Sequence, residues 1–323
     1  MSLDADAIVD RRRMRRKLTF WRVCAVVVAI AAIAAVTLVV KPRGGLEGSG
    51  YIARVKITGL IRTDQDRVEA LERLGKSAVR GVVIKIDSPG GTTAGAEELY
   101  TALRELQAKK PMVVMVEGLA ASGAYIAAMA SDHIVAQDTS LVGSIGVLFQ
   151  FPNFTGALKT LGVQVEEVKS SPLKAAPNGF EPTSPEARAA LDAIVKDSYA
   201  WFKDLVKNRR KMNDDQLARV DDGRVFTGRQ ALELKLVDGL GTEKTAVEWL
   251  EKEKKVTPGS PVRDYPLKPR FGDLTFLHVA ALALDAAGFG GLAQRLETWS
   301  AVQAMERLNL DGLLALWHPP TSN

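Results

Sequence analysis

Cysteine and histidine are scarce in this 323-residue chain, and their scarcity excludes several kinds of chemistry. Cys24 is the only cysteine, so a single chain can form neither a disulfide framework nor a cysteine-based zinc site. The three histidines are His133, His278 and His318, and the last two lie in the C-terminal tail. We therefore expect no metal ion and no cofactor.

Excess positive charge is also limited. The formal net charge is +5, and much of it comes from a basic cluster between residues 11 and 22. Because the remainder is close to neutral, the composition gives little support to nucleic-acid binding. With 46% hydrophobic and 25% charged residues, the chain can bury a substantial core.

An uncharged apolar stretch, Val23 to Val40, follows the basic cluster. At about 1.5 Å per helical residue it is about long enough to cross a hydrocarbon core of roughly 30 Å. The positive-inside rule places residues 1–20 in the cytoplasm and the rest of the chain across the membrane. The alternative is a cleaved signal peptide, whose apolar core usually runs about 7–15 residues. We predict a transmembrane signal anchor at residues 21–41 and a Gly-rich linker at 42–50.

Strand-like and helix-like runs alternate along residues 51–257, the predicted catalytic domain. This alternation predicts an α/β fold with right-handed crossovers. A helix beginning at Ser184, with Pro185 in its first turn, is expected after the strands. The predicted strands cover residues 51–60, 82–86, 112–116, 134–136, 147–151 and 163–168.

Residues 258–323 differ in character, because Pro and Gly interrupt the pattern and a Leu- and Ala-rich tail follows. We predict a helical C-terminal extension that packs on the domain or on a neighbouring subunit. A second interpretation is a tail that touches the membrane surface or lies near the active site.

Ser122 lies between an apolar strand-like run and a helix-like run of small residues. A strand, a tight turn and a helix would expose its hydroxyl beside helix N–H groups that favour a developing negative charge. Ser122 is therefore a candidate nucleophile. The plainer interpretation is a serine that caps a helix.

A second turn, Asp87 to Gly91, also follows an apolar strand and precedes a helix. An N–H group of Gly90 or Gly91, together with that of Gly123, could form an oxyanion hole. The alternative is an ordinary Pro-Gly turn. We expect the two turns to lie on adjacent parallel strands, which favours a site.

A base is needed to accept the proton of Ser122. His133 is eleven residues along the same run, about 16 Å away by helical rise, so we interpret it as structural. A lysine can act instead where burial disfavours its ammonium form. Lys174 fits this role, because it has apolar or small neighbours and no acidic residue within five positions. Ser144, itself a possible turn serine, could hold the lysine amine by a hydrogen bond.

Several motifs together resemble the signal peptide peptidase A family in its short, single-copy form. These are membrane-anchored serine–lysine peptidases of the Clp protease/crotonase-like superhelical fold. The similarity covers roughly residues 51–250 in motif order. The motifs are Ile86–Gly91, Ala121–Tyr125, Gly143–Gly146, the Lys174 loop, Gly223–Gly228 and Leu236–Asp238.

The resemblance implies that Ser122 is the nucleophile, Lys174 the general base and Ser144 the partner of the lysine. It implies a ring-shaped octamer in which serine and lysine come from adjacent subunits. The expected substrates are remnant signal peptides. The expected location is the bacterial inner membrane, crossed once, with the catalytic domain on the periplasmic side.

Three alternatives remain open. A Clp-type Ser-His-Asp protease would need a histidine about twenty-five residues after Ser122, where this chain has Ser144 and Val147. A crotonase-type acyl-CoA enzyme would need neither an export anchor nor the Ser122–Lys174 pair. A catalytically inactive membrane scaffold would need no chemistry at all.

Overall fold

The structure is a computed structural model, and it describes Lys17, Phe20, residues 50–267 and residues 314–317. The predicted anchor at 21–41 lies outside these residues. Within the part of the chain that is described, no helix is both long and apolar enough to cross a membrane.

Ten strands are present among the described residues. Their bounds are β1 Ile52–Thr58, β2 Gly81–Ser88, β3 Gly90–Thr92, β4 Met112–Ala121, β5 Ile134–Ala136, β6 Leu141–Gly143, β7 Val225–Thr227, β8 Gly239–Leu240, β9 Val262–Asp264 and β10 Leu314–Leu316. The helices are α1 Gln65–Lys76, α2 Thr93–Lys109, α3 Gly123–Ala128, α4 Thr155–Leu161, α5 Pro185–Arg210, α6 Asp214–Leu217, α7 Gly228–Glu233 and α8 Glu243–Glu253. This mixed α/β composition agrees with the fold class predicted from the alternation.

Eight of these strands form one sheet whose main path runs β7-β6-β4-β2-β1-β9, with β5 and β8 attached beside β4. The central pairs β1–β2 and β2–β4 are parallel, and β6–β7 is the antiparallel pair of this sheet among the described strands. The two turns singled out in the sequence follow β2 and β4. The prediction that they lie on adjacent parallel strands is therefore confirmed.

The central strands are apolar on both faces because helices cover the sheet on both sides. In β2, Val82, Ile84 and Ile86 pack in one cluster with leucines of α1 and α2, whereas Val83 packs in a second cluster with Ala246 and Leu250 of α8. Alternation of side chains along a strand produces this division. Burial on both faces fixes the positions of the strand ends, where the two turns begin.

Helix α5 begins as the sequence predicts. The Ser184 side chain accepts a hydrogen bond from the Ala187 N–H, and Pro185 occupies the first turn. The helix runs to Arg210, and its Phe202 and Val206 are buried in the core.

Two strand predictions are wrong. Residues 147–151 and 163–168 form no strand in this chain, although Leu148 makes an isolated bridge to Leu314. Both runs have β-forming composition, but a strand also needs a partner that satisfies its backbone, and residues 163–168 pair with none of the described strands. The side chain of Val168 is fully exposed.

The described part of the C-terminal extension contains strands where helices were predicted. β9 joins the edge of the main sheet by pairing in parallel with β1. β10 pairs antiparallel with β3, on the turn that follows β2. Residues 268–313 lie outside the described part, so the helical prediction for them has no counterpart here.

Candidate active site

Ser122 stands at the junction of β4 and α3 in a backbone conformation that few residues adopt. Its φ is 55° and its ψ is −117°, and its side chain makes no capping hydrogen bond to the helix. A positive φ in a residue other than glycine stores about 1–3 kcal/mol of strain and is most frequent at functional sites. Strained strand-to-helix turns of this type present the nucleophile in serine hydrolases of the α/β-hydrolase fold. The geometry argues against a simple helix cap.

The hydroxyl of Ser122 is nearly enclosed. The residue is 1% exposed, and Oγ donates a hydrogen bond to the carbonyl oxygen of Gly146 at 3.3 Å. The Ser122 N–H donates to the Gly143 carbonyl at 2.8 Å, which ties the turn to β6. Gly146 lies in the motif recognised in the sequence, but its contact with Ser122 was not predicted, because it joins two different strand ends.

The glycine turn after β2 lies beside this serine. Ser88 is fully buried, and its Oγ donates to the Gly59 carbonyl at 2.6 Å and accepts from the Gly90 N–H at 3.1 Å. The Gly90 N–H is thus already bonded within the turn. Gly91, whose N–H is directed out of this turn, is therefore the better candidate of the two predicted oxyanion donors.

Close packing dictates the glycine at position 91. A Cβ atom there would lie 1.8 Å from the carbonyl oxygen of Ile61, which is shorter than any allowed contact. Ile61 donates its N–H to Gly90 O at 2.8 Å, and Thr92 donates to Ile61 O at 2.9 Å. These bonds use one side of β3, so the N–H of Gly91 faces the opposite side.

Ser144 lies next to Ser122 on the neighbouring strand. β4 and β6 pair in register Ala121 with Gly143, and both serines follow that pair directly. Ser144 is 8% exposed, has a φ of 52°, and donates its N–H to the Arg224 carbonyl at 2.8 Å. The fold therefore brings both serines and the glycine turn to one edge of the sheet.

Lys174 is placed differently. It is exposed, and among the described residues no hydrogen bond or ion pair joins its Nζ to Ser122 or Ser144. Its backbone makes only local turn bonds, for example from Lys174 N–H to the Ser171 carbonyl at 3.1 Å. Ala175 has a φ of 56°, so this loop too contains a strained residue. No contact between described residues therefore joins the predicted dyad within the chain.

The neighbouring Lys169 is a poor candidate for a base. Its ammonium group contacts Glu167 at 2.6 Å and Glu181 at 2.5 Å. These hydrogen bonds raise the pKa of Lys169 and keep it charged, and the bond with Glu167 contributes most.

His133 is structural, as the sequence indicates. Its ring stacks on Trp249 with centroids 4.5 Å apart, and the residue lies beyond the C-terminal end of α3, whereas Ser122 precedes that helix. Burial lowers the pKa of His133, with the nearby Asp238 opposing the shift. The histidine therefore helps to pack α8 onto the domain.

The chain matches the family described as Peptidase family S49 over residues 104–257. A protein of Synechocystis sp. whose name describes it as a protease is 36% identical over 200 residues, which cover 61% of this chain and 72% of that protein. A protein of Enterococcus faecium, named as a signal peptide peptidase SppA, is 32% identical over 223 residues, 67% of this chain and 65% of that protein. Among solved structures, a point mutant of ClpP1 from Listeria monocytogenes has a TM-score of 0.41 at 13% identity, over 60% of this chain and 94% of that one.

The chain holds a strained serine at a strand end, beside a glycine turn, in a mixed α/β fold, and serine hydrolases also use a strained turn of this type. The comparisons identify its class, since this chain belongs to peptidase family S49. It is therefore a peptidase, and the acyl-CoA alternative has no support.

Proposed function

We propose that the chain is a membrane-anchored serine endopeptidase of the Clp protease/crotonase-like fold that degrades remnant signal peptides. Ser122 acts as the nucleophile and Lys174 as the general base. Ser144 positions the lysine amine, and the N–H groups of Gly91 and Gly123 stabilise the oxyanion. The observation that carries the proposal is the strained Ser122, 1% exposed, at the edge where the glycine turn also ends.

The chemistry follows from this arrangement. The neutral amine of Lys174 accepts the proton of Ser122 Oγ as the oxygen attacks the scissile carbonyl. The negative charge that develops on the carbonyl oxygen is met by the two glycine N–H groups. The protonated lysine then donates its proton to the leaving amine, and water hydrolyses the acyl-enzyme.

Lys174 reaches Ser122 from an adjacent subunit in this proposal. The support is the Lys174 segment, residues 152–183, which carries most of the large apolar side chains that are exposed among the described residues. Such a concentration of exposed apolar surface marks an interaction site. Its exposed members are Phe154, Leu161, Val163, Val165, Val168, Leu173 and Phe180.

The proposed substrates are apolar peptides in or near a membrane. The support is the apolar run at residues 23–40, which the positive-inside rule orients with the catalytic domain across the membrane from residues 1–20. An anchor of this kind would hold the active site close to peptides left in the bilayer.

The test uses the full chain in detergent and an internally quenched peptide with a Leu- and Ala-rich core. Ser122→Ala and Lys174→Ala should each lower kcat/KM by at least about a thousandfold. The wild-type rate should rise from acid to alkaline pH, because the base must be neutral.

Two matched controls accompany these variants. Ser131→Ala removes a buried serine whose hydroxyl bonds the His133 carbonyl at 2.9 Å, and Lys159→Ala removes an exposed lysine of the Lys174 segment. Both should keep nearly full activity, although Ser131→Ala should cost about 1 kcal/mol of stability. Cleavage that survives either dyad substitution would show that the assignment is wrong.

A further inference from the structure

The short strand β10 occupies the open side of the glycine turn. It pairs antiparallel with β3 in register Leu314 with Thr92, Ala315 with Gly91 and Leu316 with Gly90. β10 also contacts α3, the helix that begins after Ser122. This segment comes from near the end of the chain, far in sequence from the strands that it joins.

Both sides of β10 are hydrogen-bonded. On one side the Trp317 N–H donates to the Pro89 carbonyl at 2.8 Å. On the other side Leu148 and Leu314 exchange two bonds, each 3.0 Å long. Residues 314–317 thus lie as a strand in a groove between β3 and Leu148. The side chain of Leu314 is 7% exposed, so it is buried in that groove.

The pairing engages the N–H of Gly91. In an antiparallel ladder, hydrogen bonds lie on both sides of each non-hydrogen-bonded pair. Leu316 and Gly90 form such a pair, since Trp317 N–H donates to Pro89 O on one side of it. The bond on its other side runs from Gly91 N–H to Ala315 O. A carbonyl of the chain therefore accepts from the group proposed to stabilise the oxyanion. An extended peptide that added a strand at this edge would use the same donors and acceptors.

We propose that residues 314–317 are a built-in competitor that occupies the substrate groove and slows the peptidase until a peptide displaces it. The proposal rests on the proposed function, because it takes this groove as the substrate site. The groove would accept an extended apolar peptide, which pairs with β3 on one side and with Leu148 on the other.

The size of the effect follows from tethering. A segment on the same chain competes at an effective concentration set by the length of its connection, here residues 265–313, and not by the bulk concentration of protein. Its removal should therefore raise kcat/KM by at least about tenfold, mainly through a lower KM.

The experiment compares the full chain with a variant that ends at Leu313 and a variant that ends at Trp317. The variant ending at Leu313 should show the increase in kcat/KM, and the variant ending at Trp317 should behave as the full chain does. Ala315→Pro in the full chain is a further test, because proline at this position cannot donate to β3. It should raise kcat/KM in the same direction.

A binding measurement separates this inference from the proposed catalysis. A fluorescein-labelled peptide with the sequence of residues 312–319 is titrated, by anisotropy, into Ser122→Ala versions of all three chains. It should bind the chain ending at Leu313 at least about tenfold more tightly than the other two. The same peptide with proline in place of Ala315 should bind weakly to all three.

The outcomes are distinguishable. If no variant cleaves peptides but the labelled peptide binds only after truncation at Leu313, the proposed function fails and the competitor stands. If cleavage and binding are equal in all three chains, the competitor is wrong although the peptidase stands. Joint loss of activity and of melting temperature in the chain ending at Leu313 and in Ala315→Pro would make β10 a structural strand and overturn the proposal.

Discussion

The two halves of the proposed dyad are built differently. Ser122 is enclosed between parallel strands whose side chains are buried on both faces, and backbone bonds from β6 fix its turn. Lys174 lies in a segment whose large apolar side chains face solvent and whose turn bonds are local. One chain thus completes the nucleophile side and leaves the base side without a surface to pack against. In the proposed mechanism, the base therefore acquires its position through assembly.

Among these predictions, substitution at Gly91 should have the largest effect, and it should impair the Ser122 side of the site. In Gly91→Ala the added methyl would lie 1.8 Å from the Ile61 carbonyl oxygen, so β3 must shift. We expect a loss of about 1–3 kcal/mol in stability and of at least about a hundredfold in kcat. Chemical denaturation and peptide cleavage measure the two effects.

Gly156→Ala is the matched change in the Lys174 segment, where an added methyl meets nothing within 4 Å. It should leave both stability and activity nearly unchanged. Equal effects of the two substitutions would remove the contrast between the two regions.

Val168→Asp should impair the Lys174 side of the site without harming the fold. Val168 is fully exposed in the single chain, so a charge there should change the unfolding free energy by no more than about 0.5 kcal/mol. If the segment packs against another subunit, the charge should disrupt assembly and lower activity at least about tenfold. Sedimentation and peptide cleavage measure both.

The control is Leu232→Asp, at a partly exposed leucine outside the Lys174 segment, on α7. It should alter neither the sedimentation coefficient nor the activity. If Val168→Asp behaves in the same way as this control, the Lys174 segment is not an interface.

Ser122→Gly should give the smallest effect, measured against Ser122→Ala. Both variants lack the nucleophile, but only glycine adopts a φ of 55° without strain. Relief of about 1–3 kcal/mol of strain, less roughly 0.5–1 kcal/mol of added chain entropy, should make the glycine variant about 1 kcal/mol more stable. Denaturation curves that coincide would mean that the turn stores no strain.

The sequence predicts the Ser122 side of the site well. Apolar strands form a parallel sheet when helices cover both of its faces, and the carboxyl ends of neighbouring strands then lie at the same edge. Ser122, Gly91 and Ser144 follow such strand ends, so they converge as expected. Local signals such as the Ser184 cap are read correctly for the same reason, because neighbouring residues determine them.

The remainder depends on contacts between distant parts of the chain or between chains. Residues 163–168 have the composition of a strand, but composition does not supply the partner that a strand requires. The pairing of β10 with β3 joins residues more than two hundred positions apart, and no periodicity signals it. Likewise, nothing in the loop around Lys174 shows whether the proposed dyad forms within one chain or between two.

Subunit mixing tests the central claim most directly. Ser122→Ala and Lys174→Ala chains, each inactive, are mixed in equal amounts, dissociated and allowed to reassemble. If serine and lysine act across subunits, random mixing in a closed ring should restore about a quarter of the wild-type activity, because each site then has that chance of two intact partners. Mixed assemblies that form but remain inactive would contradict the account and place the catalytic pair within one chain.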